Sequence, residues 1–208
     1  MGASIKYKNR RELLILAAVE LLEQEGPNAM TVRRITAKIG GTSIMIYREF
    51  GSIANLASTV VDYGFQLLAK ELQALPKTSD VLVDLWLSFC IVREFSLSHK
   101  NLYAVMFAVQ NIGGHKRSGE ELELGKDTLI IIHDLCEKAV KEEIFTTTAW
   151  HATQFFWTLM HGRLMFEIVG YLSKEQYPLG SYNQLIATSM IGLGAKTELV
   201  NGAIPINR

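Results

Sequence analysis

The chain has 208 residues, 49% of them hydrophobic and 20% charged, which is too apolar and too poor in charge for a disordered protein. Its 21 basic and 21 acidic residues cancel, so no global signature of nucleic-acid binding exists, although residues 1–60 hold eight Lys/Arg against five Asp/Glu. Four prolines and few alternating β-branched runs predict an all-α protein, a small helical domain attached to a larger one.

Residues 1–9 read as a loose arm. Lys6, Lys8, Arg10 and Arg11 are either a solvated end or a strip that tracks a phosphate backbone or enters a minor groove. The first helix is predicted over 10–25, where Leu13, Leu14, Ala17, Ala18, Leu21 and Leu22 form an inward stripe that stops at Gly26-Pro27. Thr31 can cap a second helix in which Val32, Ile35 and Ile39 share one face, with Arg33, Arg34 and Lys38 largely outside it. Gly40-Gly41 ends that helix, because glycine accepts the left-handed conformation, and a third helix runs from about Ser43 to Phe50. Its core anchors are Ile46 and Phe50, while Ser43, Ile44, Met45, Tyr47 and Arg48 lie at its start or on exposed sides. Two short helices joined by a glycine turn have the shape of a helix-turn-helix, and a DNA-binding regulator is the leading reading.

A long helix follows from about Ser52 to Leu75, with Ser52 as cap and Leu56, Val60, Tyr63, Leu67 and Leu68 as its packing face. Beyond Pro76 apolar helices are predicted at about 79–95, 100–112, 120–142, 146–172 and 181–199. The glycine-rich basic stretch 113–119 lacks a preceding strand and phosphate-loop spacing, so it reads as a connector, as does Pro178-Leu179-Gly180. Cys90 and Cys136 sit in apolar helical contexts and read as buried reduced thiols, without disulfide or zinc spacing. His133, Cys136 and Glu137 could share a helix face, and His151 and His161 lie ten apart, but neither set completes a metal site or a nucleophile-base arrangement. No enzyme, cofactor or metal is expected. The segment around 12–22 contains Glu12 and Glu20 and fits an amphipathic helix better than a signal peptide, and no apolar run reaches membrane-spanning length, so a cytoplasmic location without membrane attachment is expected.

Residues 10–56 resemble the N-terminal DNA-binding domain of the TetR family of bacterial transcriptional regulators, through Thr31-Val32-x-x-Ile35, Gly40, Ile46-Tyr47-x-x-Phe50 and Leu56. The resemblance implies that the third helix enters the DNA major groove, with Ser43, Ile44 and Met45 nearest the bases and Thr42, Tyr47 and Arg48 nearer the backbone; Arg33 completes the expected DNA-binding set. Taken alone, Tyr47 reads equally as an ordinary half-buried aromatic. Two positions depart from the family pattern, Glu49 where a histidine is common and Ile53 where a lysine is common, and both remove phosphate donors. Apolar Ile44 and Met45 restrict direct readout to thymine methyls or a shape fit.

The same resemblance divides the chain into a DNA-binding domain at 1–51 and a helical effector-binding and dimerisation domain at 52–208, with Leu56 to Gln73 carrying ligand occupancy to the reading heads. Residue by residue, the polar and aromatic groups of the large domain read first as a satisfied helical core; the family supplies a pocket for a small apolar or amphipathic effector. Its expected lining is Trp86, Phe89, Tyr103, Phe107, Gln110, Asn111, His133, Trp150, Gln154 and Phe155. Trp157-x-x-x-His161-Gly162 resembles a motif near the dimer interface of one family branch, and Met165, Ser189, Met190 and Leu193 join it as expected partners in a four-helix bundle of two subunits. The implied partner is a double-stranded, inverted-repeat operator bound by a homodimer, with repression as the default and effector-driven release. The alternative, kept open by Glu49 and Ile53, is a helical lipophile-binding protein or enzyme whose N-terminal domain no longer binds DNA.

Overall fold

A computed structural model describes residues 9–107, 125–172 and 179–205, and every regular element among them is helical. The chain forms two compact units, Met1–Gln66 with His99–Gly125, and Leu67–Ser98 with Lys126–Arg208. This grouping differs from a division at 51/52, because the first part of the long helix and a later short helix both pack with the N-terminal helices.

The first unit begins with α1 (Arg10–Glu25), capped by Asn9, whose side chain accepts from the Glu12 amide at 2.8 Å. Leu14, Ala18 and Leu22 are fully buried along its inner face. A single 3₁₀ turn at Pro27–Ala29 leads into α2 (Val32–Lys38) and α3 (Ser43–Phe50). The start of α4 (Ile53–Gln73) adds Leu56 and Val60 to this core, and Ser52 Oγ caps it by accepting from the Asn55 amide at 3.0 Å.

α6 (Lys100–Met106) belongs to the same unit and contacts α1. Gly64 makes its approach to α4 possible: a Cβ there would stand 2.6 Å from Met106 Sδ and 3.1 Å from Leu102 Cδ1. From α1, the Glu23 carboxylate accepts from the Leu102 amide at 2.9 Å, and the Asn101 side chain donates to the Glu23 carbonyl at 3.1 Å. A carboxylate at a helix N-terminus satisfies an orphan amide and opposes the positive end of the helix dipole.

The second unit takes the end of α4 together with α5 (Val81–Ser98), α7 (Lys126–Lys141), α8 (Ala149–Ile168), α9 (Leu179–Gly192) and α10 (Thr197–Ala203). Phe89, Val92, Ile132, Cys136, Phe156, Met160, Leu164, Tyr182, Ile186 and Met190 fill its core. Across it, Glu167 of α8 accepts from Arg93 Nε of α5 at 2.9 Å and from Arg163 Nε at 2.7 Å, and all three side chains are almost wholly buried. Such an arrangement fixes helix register, since removing one partner strands a buried charge.

The predicted helix over 181–199 is two helices. Gly194 adopts φ +113° and lies so close to the segment before α8 that a Cβ would stand 2.8 Å from Thr146 N, while Thr146 N itself donates to Leu193 O at 2.9 Å. Backbone pairing to another element there outweighs continuation of the helix. Leu179 and Gly180, expected in a connector, open α9; the stretch 113–119 and residues Gln110 and Asn111 lie outside the described residues.

Candidate functional site

The turn between α2 and α3 is built by two backbone hydrogen bonds and a left-handed glycine. Gly40 adopts φ +64°, its amide donates to Ala37 O at 3.1 Å, and the Gly41 amide donates to Thr36 O at 2.8 Å. A Cβ on Gly41 would collide with Met45 Sδ at 2.3 Å, and that sulfur in turn receives the Thr42 amide at 3.4 Å. At the start of α2, Thr31 Oγ1 accepts from the Arg34 amide at 3.4 Å. Ile35, Ile46 and Phe50 are buried and lock the two short helices together.

The opposite side of α3 is open. Ile44 is 73% exposed and Tyr47 55% exposed; Ser43 and Arg48 are exposed and Met45 is half-buried. Residues 44, 47 and 48 recur at spacings of three and four, so an apolar group, a phenol and a guanidinium share one edge. Thr42 is exposed beside it. Such an edge offers methyl contact to a base and two donors to phosphate.

The cations of this unit divide into two groups. Arg34 forms an ion pair with Glu25, and Lys38 Nζ lies 2.7 Å from a Glu20 oxygen, so both tie α2 to α1. The Arg11 guanidinium, which the sequence leaves open as a phosphate contact, sits 4.3 Å from the Phe50 ring centre and donates to the Glu49 carbonyl. Arg33 and Arg48 are exposed and form no ion pair among the described residues. Glu49 and Ile53, the two departures from the family pattern, are each half-buried.

Of the ten residues expected to line an effector pocket, eight are described, two of them in the first unit and six in the second. Tyr103 and Phe107 lie in the first unit, with ring centres 4.7 Å apart, and Phe107 packs edge-on to Phe65. Phe89 is fully buried against Phe156 in the second unit, and Trp86 Nε1 donates to Asn183 Oδ1 at 3.0 Å. His133 stacks on the exposed Trp150 with centres 3.8 Å apart, and its Nδ1 lies 3.1 Å from Thr153 Oγ1. Thr153 already donates to Ala149 O, so the imidazole is the donor in that pair. Gln154 and Phe155 are exposed and border a shallow groove with His151, Thr158 and Leu159. Glu137 is exposed and pairs with Lys141, whereas Cys136 is buried, so these two do not converge with His133 on a reactive centre.

A cavity of about 230 Å³ lies elsewhere in the second unit, among the end of α4, the turn through Pro76, α5 and α7. Leu72, Leu75, Leu87, Ile131 and Leu135 give it apolar walls; Asp84 and Ser88 reach it from α5. None of the described residues expected to bind an effector lines it. Its sequence signal is a carboxylate set among apolar residues in Val81-Leu82-Val83-Asp84-Leu85-Trp86-Leu87.

The expected dimer residues separate into two groups as well. Gly162 is exposed with open space where a Cβ would stand, and Met165 and Trp157 are half-buried. Phe155, Phe166 and Val169 extend an exposed apolar strip along α8. Ser189, Met190 and Leu193 are instead buried within their own protomer, Ser189 donating to Leu185 O at 2.7 Å; the exposed face of α9 presents Gln184, Thr188, Ile191 and Gly192. The helix is rotated relative to expectation because Tyr182, Ile186 and Met190, at spacings of four, claim the core-facing stripe. His161 packs edge-on to Trp157 with centres 4.8 Å apart, and burial holds its pKa down, to about 4.

Burial likewise pushes the Cys90 and Cys136 thiols up to about 11, so both stay protonated and unreactive. Among the described residues no three His, Cys, Asp or Glu side chains gather as metal ligands, and no helix is long and apolar enough to cross a membrane.

A glycine-turned pair of short helices with one exposed edge, in a chain that is otherwise helical, defines a helix-turn-helix regulator fold. Residues 14–60 match the family described as bacterial regulatory proteins, tetR family, and residues 89–188 match the Tetracyclin repressor-like C-terminal domain. The chain belongs to the TetR family of transcriptional regulators.

Among solved structures, a protein of unknown function from Rhodococcus sp. RHA1 superposes with a TM-score of 0.78 at 17% identity, over 93% of this chain and 100% of the other. The fatty acid degradation regulator FadR from Bacillus halodurans gives a TM-score of 0.68 at 14% identity, over 91% and 97% of the two chains. At such identities the likeness is one of fold. No curated protein sequence matches the chain.

Proposed function

We propose that this protein is a homodimeric, ligand-responsive transcriptional regulator, by default a repressor, that reads an inverted-repeat operator with α3. The observation that carries the reading is the exposed edge of Ile44, Tyr47 and Arg48, held outward by the burial of Ile46 and Phe50. Ser43, Met45 and Ile44 meet the bases; Thr42, Tyr47, Arg48 and, from α2, Arg33 meet phosphates. One short helix reads only a few base pairs, and a two-fold pair reads two half-sites and about doubles the backbone contacts. The exposed apolar strip of Phe155, Phe166 and Val169 supports pairing through α8 and the outer face of α9.

A small apolar or amphipathic effector bound in the second unit releases the operator. α4 supports the coupling, because one helix contributes residues to both units and has no flexible linker within it. Chemistry is not part of this function, and the protein acts in the cytoplasm. Selection of bound duplexes from a random pool at moderate salt tests the reading. A two-fold symmetric consensus whose affinity falls steeply with salt is expected; equal, weak retention of every duplex would sink it.

A further inference from the structure

We infer that the cavity between the end of α4, α5 and α7 is a binding site for a small organic ammonium ion, one ring or a short chain in size, whose cationic head pairs with Asp84. Two observations point there independently, one of shape and one of chemistry.

The shape is that of a compact ligand. A volume of about 230 Å³ exceeds the ~150 Å³ that accommodates benzene in an apolar protein cavity. Leu72, Leu75, Leu87, Ile131 and Leu135 surround a ring or chain of that size.

The chemistry is that of a carboxylate with one oxygen engaged and the other left without a protein partner among the described residues. Asp84 is 93% buried by its 7% exposure and lines the cavity. One of its oxygens, Oδ1, accepts from the Thr78 amide at 2.9 Å and from Thr78 Oγ1 at 2.7 Å. Its other oxygen, Oδ2, accepts from no described residue. Lys77 also borders the cavity but forms no ion pair with Asp84 among the described residues. That oxygen is not sealed from solvent, and a cation bearing N–H donors makes a charge-assisted hydrogen bond to it that an apolar guest cannot.

Ser88 supplies a second contact. Its hydroxyl donates to the Asp84 carbonyl at 2.8 Å, so its oxygen is left as an acceptor on the same wall. With Asp134 at the margin, the ionisable lining holds two carboxylates and one lysine, which favours a cationic guest and repels a carboxylate. The site concerns binding alone and stands whether or not the chain controls transcription.

The test is calorimetric titration of the full-length protein at neutral pH with three probes of one shape: benzylamine, benzyl alcohol and benzoate. Benzylamine is expected to bind saturably, benzyl alcohol about tenfold or more weakly, and benzoate not at all. Asp84→Asn keeps an oxygen for Thr78 and is expected to lower benzylamine affinity about tenfold while leaving benzyl alcohol little changed. Leu75→Trp, which fills the cavity from its half-buried edge, is expected to abolish both and serves as the deciding variant if Asp84→Asn does not fold. The proposal is overturned if benzylamine fails to bind at about 10 mM, if benzoate binds as well as benzylamine, or if affinity survives Leu75→Trp or a folded Asp84→Asn.

Discussion

Arg11 and Phe50 are bound face to charge: the guanidinium of the first helix lies 4.3 Å from the ring centre of the third and reaches the carbonyl of Glu49 beside it. The contact closes the C-terminal end of α3 from α1 and turns a terminal cation into a structural one. Arg11→Ala is expected to lower unfolding stability by about 1 kcal/mol. Arg48→Ala, by contrast, is expected to reduce the slope of log affinity against log salt by about one while stability holds. Chemical denaturation and operator binding at several salt concentrations distinguish them, and a loss of salt slope in the Arg11 variant alone would reverse the assignment.

Gly194 is irreplaceable for two separate reasons. Its φ of +113° disfavours any side chain, and a Cβ would meet the Thr146 backbone nitrogen at 2.8 Å. Gly194→Ala is expected to cost about 2–3 kcal/mol. Gly162→Ala, in open space on α8, is expected to stabilise an isolated protomer by about 0.5–1 kcal/mol. Urea midpoints of both variants check the contrast.

Gly162 also reports on pairing. If α8 of one subunit packs on its counterpart, Gly162→Trp places bulk in that contact and Phe166→Glu places charge in it. Both are expected to shift the protein from dimer to monomer in sedimentation at micromolar concentration while leaving helix content unchanged. Unaltered sedimentation in both variants would move the interface elsewhere.

His161 carries a pH signature. Burial lowers its pKa to about 4 in the folded chain, against roughly 6.5 when unfolded. The unfolded chain therefore binds the proton first, so the contribution is complete above about pH 6.5 and is lost as pH falls toward 4. Its full size is roughly 3 kcal/mol. His161→Phe, a ring without a titrating group, is expected to flatten the stability profile over that window; parallel profiles for the two proteins would refute the assignment.

Much of the fold was legible in local chemistry. The stripe of α1, the capping Thr31, the turn at Gly40-Gly41 and the bounds of α3 follow from spacing, caps and glycine, all of which act within a few residues. The exposure of Ile44 and Tyr47 follows from the same arithmetic once Ile46 and Phe50 face inward. By itself the sequence determined an all-helical chain with a helix-turn-helix near its start.

Tertiary structure decided what distant residues do to one another. Gly64 admits Leu102 and Met106 against the long helix, a contact that no local pattern shows, and the rotation of α9 depends on which of several apolar stripes the core accepts. Asp84 was brought to a cavity by a turn and two helices. Caps and periodicity are properties of neighbours along the chain; cavities, close helix approaches and the partners of a buried charge arise only when elements far apart in sequence compete for the same space.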